Sequence, residues 1–90
     1  MNKSDLIAAV ADKCDKTRKD TEQVVNAFIE TVTDALSREE KVQLVGFGTF
    51  EVRRRAARKG INPLTKEPID IAASKTPVFK AGKVLKDSVN

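Results

Sequence analysis

The stretch "RRRAARKGINPLTKEPIDIAASK", Arg53–Lys75, constrains this chain more than any other because it cannot be buried. Five cations fall in its first seven residues, a glycine and two prolines follow, and apolar and polar residues then alternate as in a strand. Like charges set side by side on a β-ribbon repel one another. The segment therefore reads as a hairpin arm that projects from a body and needs a counter-charge. If the 24 residues from Arg53 to Thr76 project, 66 of the 90 remain for a core. That is near the size at which one core is marginal.

The body has two kinds of pattern. "NKSD" is a helix cap, with Asn2 accepting from the first turn and Asp5 near the positive end of the dipole. Leu6, Ile7, Val10, Ala11 and Cys14 then recur at helical spacing. "TRKD" from Thr17 repeats the cap, and Val25, Phe28, Ile29, Val32 and Leu36 form a longer stripe. Beyond "SREEK" come short apolar runs, Val42–Val45 and Phe50–Val52, around "GFGT", which predicts a β-hairpin. The second strand continues through the arginines, turns near "INPLTKE" and returns along "PIDIAA"; a short helix follows Gly82, with Val84, Leu85 and Val89 on one face. The densest apolar positions, Phe28 on helix two with Phe47, Phe50 and Phe79, exceed what one copy can cover. An intertwined homodimer sharing them is the expected solution.

Charge is distributed unevenly. Met1–Val52 carries seven Lys and Arg against ten Asp and Glu, whereas Arg53–Lys86 carries ten against two; with Asp87 the balance is −3 + 8 − 1 = +4. The basic half is an electrostatic footprint for a polyanion, nucleic acid first. Arginine's fork suits phosphate, and a two-stranded ribbon has a width that a DNA groove admits. The arm holds no Phe, Tyr or Trp, which disfavours stacking on single strands. Pro63 at its turn is a rigid apolar ring of the kind that minor-groove proteins wedge between base steps, extended by Ile61 and Leu64.

Other features exclude other chemistries. "GFGTF" lacks the third glycine and the following helix of a dinucleotide loop, so it reads as a tight hairpin. A lone Cys14 without histidine offers neither a disulfide nor a zinc set, and its place on a helix stripe makes it a core residue. Asp12, Asp15, Asp20, Glu22, Glu39 and Glu40 fall at helix ends and turns and read as solvated surface. No cofactor, metal or small-molecule substrate is expected. No run approaches the roughly 18 apolar residues of a membrane helix, so a cytoplasmic location is expected.

"VGFGTFEVRRRAARKG", followed by Asn62–Pro63 and by "IDIAASKTPVFKAGKVLKDSV", resembles the HU/IHF family of bacterial histone-like proteins over essentially the whole chain. The resemblance implies an α+β dimer: a helical hairpin base, a three-stranded antiparallel sheet with an extended β-ribbon arm, and a short C-terminal helix. Residues 1–90 would form one domain, with 1–52 as the dimerisation body, 53–76 as the arm and 77–90 as the last strand end and helix. It further implies arm contacts to DNA from Arg53, Arg55, Arg58, Lys59, Asn62 and Pro63, and body contacts from Lys3, Lys75, Lys80, Lys83 and Lys86. Ile61 stands where the family usually has Arg, and Lys66 where it has Gly at a turn that favours positive φ. The implied function is duplex DNA binding, bending and compaction in the nucleoid, without catalysis. The alternatives are an IHF-like, sequence-preferring heterodimer subunit, a basic module for other polyanions, and a nuclease, which the missing His argues against.

Overall fold

The computed structural model describes every residue from Met1 to Asn90. In chain order it holds helices α1 (Lys3–Cys14) and α2 (Arg18–Ser37), strands β1 (Val42–Leu44), β2 (Gly48–Arg55), β3 (Arg58–Ile61), β4 (Pro68–Ile71) and β5 (Ser74–Ala81), and helix α3 (Lys83–Val89). These fall into two compact units, Met1–Ala35 and Leu36–Asn90.

In the first unit both caps form as the sequence dictates. The Asn2 side chain accepts from the Asp5 N–H at 2.9 Å while Asp5 accepts from the Asn2 N–H at 3.2 Å, a reciprocal box that satisfies two orphan donors. Thr17 Oγ1 accepts from the Asp20 N–H at 3.1 Å to open α2. Helix α1 ends at Asp15, whose φ of 55° lies in the left-handed region that aspartate tolerates better than most residues. Ile7 and Ala11 of α1 and Thr21 of α2 are buried. Cys14 is exposed, contrary to its expected place in the core. It sits in the last turn of α1, beyond Ala11, and lines an open cleft with Val10, Thr21 and Val24.

The second unit is built on a sheet of order β1-β2-β5, antiparallel throughout. Strand β1 stops at Leu44, one residue short of expectation. The Leu44 carbonyl accepts from the Phe47 N–H at 2.9 Å, and Gly46 takes φ 85°, so Val45 is thrown to the turn's crest and left 94% exposed. Register separates the sheet's faces: Phe50 lies opposite Val42 and Phe79, and Val52 opposite Pro77, while Thr49 pairs with Gln43 and Lys80, and Arg53 with Thr76. One face is thus aromatic and aliphatic and the other polar. Pro77 is tolerated because β5 is an edge strand. The Phe79 ring packs between Phe47 and Phe50, with centroids 5.4 and 4.8 Å away.

The arm is interrupted. The β2–β5 ladder ends at Arg55 and Ser74, and a separate β3–β4 ribbon begins at Arg58 and Ile71. Both pairings share one register, since 55 + 74 and 58 + 71 are equal. The gap is Ala56–Ala57 on one strand and Ala72–Ala73 on the other, side chains too small to bridge a ladder by cross-strand packing.

Little is enclosed. Among apolar residues only Ile7, Ala11 and Ala35 are buried, whereas fourteen large ones are exposed, including Phe28, Phe47 and Phe79 at 41–46%. Val84 and Val89 of α3 are also open. A fold that leaves its aromatic cluster in water has not finished burying its apolar surface. Where packing is complete it is tight: a Cβ on Gly48 would lie 2.5 Å from the Phe79 ring and 2.6 Å from the Lys80 carbonyl. Gly48→Ala should therefore destabilise the protein by about 1–3 kcal/mol, read as a lower midpoint in guanidinium unfolding.

Candidate nucleic-acid interface

Strand periodicity sorts the arm's cations. Arg53 and Arg55 project from the polar face of β2, opposite Thr76 and Ser74. They are exposed and make no ion pair within the chain. Arg58 and Lys59, adjacent on β3, emerge from opposite faces of the distal ribbon and are likewise unpaired, as are Lys83 and Lys86 on α3. Lys3 opens α1 in the Met1–Ala35 unit. Unpaired guanidinium and ammonium groups on an exposed strand lose nothing internal when they meet phosphate.

Two other expected cations are already engaged. Lys80 donates to Glu51 at 2.8 Å, and Lys41 approaches the same carboxylate at 3.6 Å. The Lys80 hydrogen bond holds the Glu51 carboxyl below its ordinary range. Lys75 lies 3.1 Å from Glu39. Arg54, directly opposite Lys75 on the ladder, meets Glu39 through both Nε, at 2.6 Å, and Nη2. Glu39 is therefore no mere surface carboxylate, as its place in a polar turn suggested. It neutralises a cross-strand pair of like charges that would otherwise repel. The Arg54 and Lys75 hydrogen bonds bring its pKa down to about 2, and Glu39 in turn raises that of Arg54.

The tip is shaped by Asn62. Its side-chain oxygen accepts from the Leu64 N–H at 2.9 Å, an Asx turn, while its backbone carbonyl accepts from Lys66 at 2.7 Å and its N–H donates to Glu67 at 2.9 Å. Lys66 takes φ 58°, the left-handed conformation that glycine adopts at least cost, as expected for this turn from the family resemblance. These bonds present Pro63 and Leu64 outward, both exposed, with Leu64 92% open. Ile61 is 70% exposed, and its register partner is Pro68. On the distal ribbon Ile69 and Ile71 lie on the face of Gly60, where an added Cβ would meet Ile71 at 2.8 Å. The turn itself is expected at this stretch, whereas the family resemblance assigns Asn62 to DNA contact; an Asn before Pro at a hairpin tip is the signal for the turn-forming role it has.

A family model described as bacterial DNA-binding protein matches residues 1–90. The chain belongs to this family. Among the family's members, the DNA-binding protein HU of Lactococcus lactis is 64% identical over 88 residues, covering 98% of this chain and 97% of that one. The DNA-binding protein HU of Clostridium pasteurianum is 60% identical over 90 residues, covering 100% and 99%. A cocrystal structure of Anabaena HU with DNA superposes with a TM-score of 0.87 at 47% identity, covering 99% of this chain and 97% of that one. HU from Thermotoga maritima gives 0.71 at 37%, with both chains fully covered. No helix is long and apolar enough to cross a membrane.

Glu39 makes a test of this geometry. Because its folded pKa lies below the ordinary 4.5, its ion pairs stabilise the fold fully above that value and are lost as pH falls through about 2. At low ionic strength, Glu39→Gln should lower the thermal midpoint by a constant amount above pH 5. That difference should shrink between pH 4.5 and 2.

Proposed function

We propose that this chain acts as a homodimer that binds duplex DNA with little sequence preference, bends it and compacts it. The observation that carries this reading is the row of exposed, unpaired cations Arg53, Arg55, Arg58 and Lys59 on a narrow antiparallel ribbon. The Anabaena relative crystallised with DNA, and the high identity to proteins named for DNA binding, support it. Phosphate contacts from the ribbon, with Lys3, Lys75, Lys80, Lys83 and Lys86 along flanking DNA, supply affinity without reading bases. The ribbon enters the minor groove, and the apolar tip of Pro63 and Leu64 wedges a base step. Unstacking is easiest where the duplex is already broken or flexible, so distorted DNA is preferred. The protein is an architectural component of the nucleoid in the cytoplasm, not an enzyme.

Dimerisation follows from the open aromatic face. A partner that covers Phe28, Phe47, Phe50 and Phe79 completes the core, so that interface and core are one object. Sedimentation equilibrium at micromolar concentration should return twice the chain mass, and Phe47→Asp should abolish folding together with association. A stable folded monomer would refute the shared core.

Binding is tested at the ribbon. Arg55→Ala and Arg58→Ala should each reduce the log–log salt dependence of duplex affinity by about 0.9 for the one phosphate lost. Pro63→Ala should weaken the preference for nicked over intact duplex more than it weakens binding to intact duplex. Fluorescence anisotropy across a salt series measures both, and unchanged slopes for the two arginine variants would exclude the ribbon as the binding element.

A further inference from the structure

The root of the arm carries cations on both faces, in unlike states. Arg53 and Arg55 are open, whereas Arg54 and Lys75, on the aromatic side of the ladder, are held by Glu39. A carboxylate that takes a guanidinium through two nitrogens and an ammonium beside it occupies the place that a phosphate group would take. We propose that Glu39 is an internal stand-in for a DNA phosphate: it latches Arg54 and Lys75 in the free protein and releases them to the duplex backbone on binding. This inference rests on the duplex-DNA reading above.

Backbone geometry supports it. Glu39 ends α2 with its N–H on the Leu36 carbonyl at 2.9 Å and φ 59°, the left-handed helix stop that glycine fills at least cost. The carboxylate, rather than the turn, is what this residue contributes. Both partners remain accessible, with side chains of Arg54 and Lys75 exposed at 68% and 59%, so a competing anion can reach them. A ribbon in a groove has a phosphate wall on either side, which brings cations from both faces within side-chain reach. Glu39 therefore sets how much of the arm's charge is spent before DNA arrives, and the latch loosens as salt screens it.

The test is duplex affinity across a salt series for Glu39→Gln and Glu39→Gly. The glycine variant deletes the carboxylate while relieving the left-handed backbone, so a gain shared by both variants reports the lost charge and not a disturbed fold. Exposed ion pairs are each worth up to about fivefold. Both variants should bind about three- to tenfold more tightly at ~0.1 M salt, with the advantage narrowing as salt rises. Glu40→Gln makes the same change in net charge at a carboxylate paired with Arg38 alone and should shift affinity by less than about twofold. Adding Arg54→Ala to Glu39→Gln should erase the gain. Variants at position 39 that bind no tighter than wild type, or a Glu40→Gln gain of equal size, would overturn the latch while leaving the DNA reading intact. Failure of the wild-type protein to bind duplex would instead sink that reading.

Discussion

Everything in the Leu36–Asn90 unit depends on the two-residue period of β2. Eight residues, Gly48–Arg55, carry aromatic and aliphatic side chains on one face and polar ones on the other, and then run on into the arginines. A strand cannot exchange its faces without slipping register, and a slip of one residue would put Phe50 and Val52 among the polar groups. The same ladder therefore fixes both where an apolar partner must dock and where cations stand free. Arg54 is the exception that follows from the rule. Its parity places it on the apolar side, and it is there that Glu39 meets it.

Burial is the second constraint. With only three apolar residues enclosed in the single chain, the conformational entropy of ordering 90 residues is opposed by too little hydrophobic gain. The aromatic cluster of Phe47, Phe50 and Phe79 is packed within itself and yet open to water, the state of half a core. Association and folding are then one transition in the proposed dimer, and the arm can dispense with a core of its own because it projects from that shared body.

Arm and body differ in how they hold their charge. On the body side of the Ala56–Ala57 gap, Arg53 and Arg55 stand free, but five basic side chains are tied to carboxylates: Arg54 and Lys75 to Glu39, Lys80 and Lys41 to Glu51, and Arg38 to Glu40. Beyond the gap Arg58 and Lys59 have no such partner. Exposed ion pairs contribute little stability and are readily exchanged for phosphate. The distal ribbon is held instead by backbone pairing and by the Asn62 turn, neither of which uses its cations.

What is local was readable along the chain. The Asn2–Asp5 and Thr17–Asp20 caps, the helical stripes and the hairpin at Gly46 all depend on residues within a few positions of one another, so their chemistry could be read in order along the chain. The cationic arm was legible for the same reason, as a run too charged to bury. What rests on distant residues took shape only with the fold. The exposure of Cys14 and Val45 turns on where a helix and a strand stop, which a stripe or an apolar run alone does not specify. The break at Ala56–Ala57 needs Ala72–Ala73 opposite it, and so depends on a register set by the whole hairpin. Glu39 looked like a solvated turn residue because its partners, Arg54 and Lys75, come from two strands that meet it only once the sheet has formed. Charge can be counted along a chain, but whether a charge is free or already paired is a property of distances in space.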